Sequence, residues 1–179
     1  MADRVEADKP QGTTDAVQAA QVFISYASHD KGVADAVCQA LERAGVACWI
    51  APRNVVPGES YAGAIVHAID ATTLIVLILS EHGASSQHVL REVERASSKR
   101  HPVVAFRIDA APMPADFEYF LNTSQWLDAS SMGVERALPR LVDAVQRVFV
   151  VVAEEFGAAL HHPVVFQHHA DRRCDVLME

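Results

Sequence analysis

The sequence predicts an α/β fold in three layers: a doubly wound, flavodoxin-like, five-stranded parallel sheet with helices on both faces. Three observations predict it. Short apolar segments alternate with amphipathic ones from residue 21 to residue 149, the pattern of right-handed strand–helix–strand crossovers. Thr73 to Leu79 is apolar at almost every position, as a central parallel strand covered on both faces must be. Five strands in this alternation give the order 2-1-3-4-5.

Each element has its own signal. Val22-Phe23-Ile24-Ser25-Tyr26 forms the first strand. Asp30 is placed to cap the next helix, whose Val33, Val37, Ala40, Leu41 and Ala44 keep one helical face, and Gly45 ends it. Val46 to Ile50 is a second strand, followed by a loop through Ala51 to Ser60 with a turn at Pro57-Gly58. Ser60 caps a second helix with Tyr61, Ile65, Ala68 and Ile69 turned inward. Thr73 to Leu79 is the third strand, Ser86 to Lys99 the third helix, and Pro102 to Ile108 the fourth strand. Asp109 to Thr123, with Pro112 and Pro114, shows no clear helical period and is expected to be loop or distorted helix. Ser124 to Leu127 is a fifth strand. Val134 to Phe149 is the last helix, with Leu138, Leu141, Val142, Val145 and Val148 inward.

Outside this core, residues 1–20 are polar and expected to be disordered, and residues 150–179 form a helical extension or tail of no assigned role. A chain of 179 residues that is 50% hydrophobic suits one domain with tails. Its net charge of -8 argues against nucleic acid or an anionic membrane as partner. No apolar run approaches the roughly 20 residues of a membrane span, and residues 1–20 lack the apolar core of a signal peptide. Three cysteines, Cys38, Cys48 and Cys174, give no disulfide framework and read as reduced thiols of a cytoplasmic protein. His161, His162, His168 and His169 with Cys174 match no standard zinc spacing and read as a solvated tail, so no metal site is expected.

In the order 2-1-3-4-5, ligands bind above the carboxyl ends of strands one and three, here Ser25 to Ser28 and Ser80 to Gly83. At about 100° per residue, Val89, Val93 and Ala96 define the buried stripe of the third helix, with Glu92 near -60° and His88 near -100° on one flank. Glu92 is then a half-buried acid beside the ligand cleft. It is either a catalytic carboxylate or a boundary residue paired with Arg95 or another basic group. No GxGxxG, GxxxxGK[ST] or GxSxG occurs, and neither Cys38 nor Cys48 has an evident His partner. The acids that a phosphoacceptor receiver domain needs are replaced by Tyr26-Ala27-Ser28 and Ser80.

Three blocks resemble a known family: Val22 to Tyr26; Trp49-Ile50-Ala51-Pro52-Arg53-Asn54 with Pro57-Gly58; and Ser86 to Glu92. They are similar, in order and position, to the conserved blocks of Toll/interleukin receptor (TIR) domains, most of all the bacterial branch, over about residues 21 to 149. The resemblance implies an enzyme that cleaves the nicotinamide–ribose bond of NAD+, with Glu92 catalytic. It places Phe23, Ser25, Ala27, Ser28, Asn54, Gly58, Tyr61, Ser86 and His88 near the substrate. It also implies self-association through the loop that holds Arg53, Val55, Val56, Pro57 and Gly58, and a sensor or effector protein as partner. NAD+ is then substrate, and no cofactor is expected. One carboxylate suffices, because the pyridinium leaves as neutral nicotinamide and needs no general acid. Water gives ADP-ribose; an internal nucleophile gives a cyclic isomer. The chain departs from the family at His88, where an aromatic is common, at Ala27-Ser28, and at Asn54. The alternative is a TIR scaffold that assembles without turnover.

Overall fold

The computed structural model describes residues 21–155. The expectations for residues 1–20, for the histidines from His161 to His169 and for Cys174 lie outside them. Five parallel strands, β1 (Val22–Ser25), β2 (Cys48–Trp49), β3 (Leu74–Leu79), β4 (Val103–Arg107) and β5 (Gln125–Asp128), form one sheet in the order β2-β1-β3-β4-β5. The pairing Ser25↔Leu77 and Phe23↔Ile75 sets the register at the switch point, where the chain winds away in both directions.

Period-two alternation distributes the strand side chains into two cores. Val22, Ile24, Val76, Ile78, Val104 and Phe106 pack with α1 (Lys31–Arg43) and α6 (Val134–Glu155). Phe23, Ile75, Leu77, Val103 and Ala105 pack on the other face with α2 (Tyr61–Ala71), α4 (Gln87–Ser98) and α5 (Ala115–Leu121). β3 is buried at every position, as its unbroken apolar run requires. Among the described residues, no helix is long and apolar enough to cross a membrane.

Several expectations are corrected. β2 has only two residues, Cys48 and Trp49, and ends before Ile50, whose amide pairs with the Asn54 side chain. A short helix, α3 (Glu81–Ala84), stands between β3 and α4, capped by Ser80. Asp109 to Thr123 contains α5, which buries Phe117 and Leu121 one turn apart. Asp30 occupies the position before α1 but does not cap it; the carboxylate instead accepts a 2.6 Å hydrogen bond from Ser80. Tyr61 is 54% exposed rather than inward. The last helix continues past Phe149 to Glu155, in line with the helical extension expected there, with Val150 and Val151 exposed.

Candidate functional site

Ser25 shares the sheet face of Phe23 because the two are two residues apart on β1, and that face is covered by α4. From there its hydroxyl donates a 2.5 Å hydrogen bond to Glu92 Oε2. Ser86 caps α4 by accepting from the Val89 amide at 3.3 Å, which fixes the helix phase and with it the flank that carries Glu92. Glu92 is largely enclosed, and burial pushes its pKa up to about 7, against the opposing pull of the Ser25 hydrogen bond. The alternative pairing with Arg95 does not occur. Arg95 instead grips Asp70 on α2 through two hydrogen bonds of 2.9 and 2.6 Å, and Lys99 adds a third contact at 3.5 Å. Glu92 thus has no cationic partner among the described residues.

Glu92 opens onto a cleft of about 270 Å³ at the carboxyl end of β1. Phe23, Ile24, Tyr26 and Ser28 supply its wall from β1 and the turn that follows, and Lys31 stands at the start of α1. Ala51, Pro52 and Tyr61 close it from the segment after β2. The Tyr26 hydroxyl donates to the Ala51 carbonyl at 2.5 Å and ties this segment to the cleft. Burial raises the pKa of that phenol, and the nearby Lys31 ammonium counters it. Beneath the cleft, Phe23 stacks on Trp49 with centroids 5.1 Å apart.

Of the predicted substrate residues, Phe23, Ser28 and Tyr61 line the cleft with Glu92, while Ser25 acts on Glu92 itself. Ala27 is buried, and Ser86 serves the helix cap. His88 is exposed on α4 outside the lining. Asn54 turns its side-chain oxygen to the Ile50 amide and to Arg53 Nε. Gly58, at φ +92, makes the left-handed turn at the loop tip and is likewise outside the lining. Sequence reasoning put Tyr26 at the ligand end of the first strand without counting it among the substrate residues, and it missed Lys31. The signal for Lys31 was position alone: it opens the helix that follows the first strand, beside the topological switch.

The loop expected to assemble has a fixed root and an open tip. Arg53 forms a bidentate pair with Glu42 at 3.2 and 2.7 Å and donates to the Cys48 carbonyl at 2.9 Å. Val56, toward the tip, is 36% exposed. Cys38 and Cys48 are both buried and form no disulfide with each other. Among the described residues, no group of His, Cys, Asp and Glu is arranged to hold a metal ion.

The TIR domain family model matches residues 22–142. No curated protein matches the chain. The chain is similar in structure to the TIR domain of the Toll-related receptor TRR-2 from Hydra magnipapillata (TM-score 0.59, 24% identity, covering 70% of this chain and 97% of that one). It also resembles the TIR domains of the activated Roq1 resistosome, at TM-score 0.54 and 14% identity over 70% of this chain and 99% of that one. A third neighbour is the CMP N-glycosidase BcmB of Clostridium botulinum, at TM-score 0.51 and 15% identity over 68% and 97%. At these identities the likeness is one of fold.

Proposed function

Because this chain belongs to the TIR domain family, we propose that it is an NAD+ glycohydrolase, activated by self-assembly, with Glu92 as its essential group. The observation that carries this reading is the state of Glu92. It is a half-buried carboxylate with no cation to neutralise it among the described residues, facing a cleft, its pKa pushed up to about 7 by desolvation. Asp70 is given a basic partner by Arg95, and Asp30, which like Glu92 has a serine and no cation, does not line the cleft; Glu92 alone among the three faces it. An unpaired carboxylate in a cleft is arranged to meet positive charge that arrives with a ligand.

The chemistry needs little else. The bond between ribose C1′ and the pyridinium nitrogen breaks, and its electron pair neutralises the departing nicotinamide. The positive charge that develops on the ribose is met by the Glu92 carboxylate, held in place by Ser25. Water then adds to C1′ and loses its proton to Glu92 or to solvent, giving ADP-ribose; attack by an atom of the same molecule gives a cyclic isomer. Neither step calls for a metal or cofactor. By fold analogy alone, the C. botulinum CMP N-glycosidase shows that this architecture can house N-glycosidic cleavage. In this reading the protein signals in bacterial antiphage immunity or virulence, with a sensor or effector as partner.

The exposed Val56 at the loop tip also favours a second reading, a scaffold that assembles with other TIR domains without turnover. One experiment separates them: NAD+ consumption at high protein concentration beside Glu92→Ala, with products resolved by chromatography and assembly followed by light scattering. Loss of NAD+ with the wild type alone supports the enzyme. Two inert proteins, with the wild type assembled, support the scaffold.

A further inference from the structure

The cleft has two electrical ends, and the second one is unassigned. Lys31 is the one cation among its lining residues, as Glu92 is the one acid. Ala27 and Ser28, which follow the end of β1, bring no charge, so the cation arrives with the first residue of α1. Its ammonium is held at 2.5 Å by Asp35, one helical turn on, with the two side chains 56% and 46% exposed. A pair this open to water is screened and contributes little to the helix, so a ligand can exchange with it. A chain of net charge -8 repels polyanions overall, and a single cation in the cleft lining therefore weighs heavily in which anions enter.

We propose that Lys31 is a specificity-determining residue that receives the diphosphate of a dinucleotide, leaving Asp35 for phosphate oxygens when the ligand binds. A diphosphate offers more charge and more acceptor oxygens than one carboxylate, so the exchange runs toward the ligand. For the identity of the dinucleotide the inference rests on the glycohydrolase reading. The binding step itself needs no turnover. Nicotinamide riboside carries the same scissile bond without phosphates, so Lys31 distinguishes the two compounds while Glu92 treats them alike.

The test pairs a binding with a kinetic readout on the full chain, using Lys31→Ala, Lys31→Arg and Asp35→Ala. By calorimetry, Lys31→Ala weakens ADP-ribose binding at least tenfold, Lys31→Arg retains most of it, and Asp35→Ala tightens it. In turnover, Lys31→Ala raises the KM for NAD+ at least tenfold more than that for nicotinamide riboside, with the larger share of the change in KM rather than kcat. Added salt raises the wild-type KM for NAD+ more steeply than that of Lys31→Ala. The proposal is overturned if wild type and Lys31→Ala bind ADP-ribose alike, if the wild type does not bind it, or if both substrates are penalised equally. ADP-ribose binding that depends on Lys31 in a protein that leaves NAD+ intact would sink the glycohydrolase and leave the Lys31 assignment standing.

Discussion

At the scale of single residues, Glu92 couples ionisation to stability. Its folded pKa of about 7 lies above the ordinary 4.5, so the fold is favoured while the group is protonated. That advantage is full below pH 4.5 and is lost as pH rises to about 7, a difference of about 3 kcal/mol. Glu92→Gln is therefore expected to raise the stability at pH 8 by up to about 3 kcal/mol and to change it little at pH 4, measured by urea unfolding. The same substitution is expected to lower NAD+ turnover by about 100-fold or more. Ser25→Ala removes the hydrogen bond that favours the carboxylate, so the rise of activity with pH should move to higher pH than in the wild type. The flank position of Glu92 was legible from helical phase. Its freedom from Arg95 was not, because the competing Asp70 lies on a different helix. Tyr61 misled for a related reason: it keeps the apolar period of α2, but at the first turn that stripe has run past the core and into the cleft.

At the scale of elements, the run from Ser80 to Ser86 joins β3 to the helix that bears Glu92. Ser80 accepts from the Gly83 amide at 2.9 Å and donates to Asp30 at 2.6 Å, so one hydroxyl caps α3 and satisfies a buried carboxylate. Ser80→Ala is expected to cost about 2 kcal/mol in chemical denaturation, since it removes a cap and strands an acceptor. Gly83 leaves no room for a side chain, because a Cβ there would stand 2.9 Å from the Ile78 carbonyl. Strands were legible where packing demands continuous apolarity, β3 above all. A helix of four residues has too few positions to display a period, and α3 was invisible for that reason. α5 did carry a signal, Phe117 and Leu121 at i, i+4, masked by the prolines just before it.

At the scale of the whole molecule, assembly is the expected control. Specific NAD+ consumption should rise with protein concentration, and Val56→Asp at the loop tip should flatten that dependence while leaving the thermal midpoint of the dilute protein unchanged, since Val56 is 36% exposed. Chain order, layers and switch point were all readable from alternation, because a doubly wound sheet has few ways to connect. How the loop after β2 is tied down was not, since Tyr26, Glu42 and the Cys48 carbonyl meet it from three separate segments. That tethering separates two kinds of inheritance. The root, clamped from Ala51 to Asn54, is answerable to the chemistry of the cleft, while the tip around Val56 answers only to whatever it touches. Descendants of this chain can therefore change what the tip meets, residue by residue, while the cleft stays as it is.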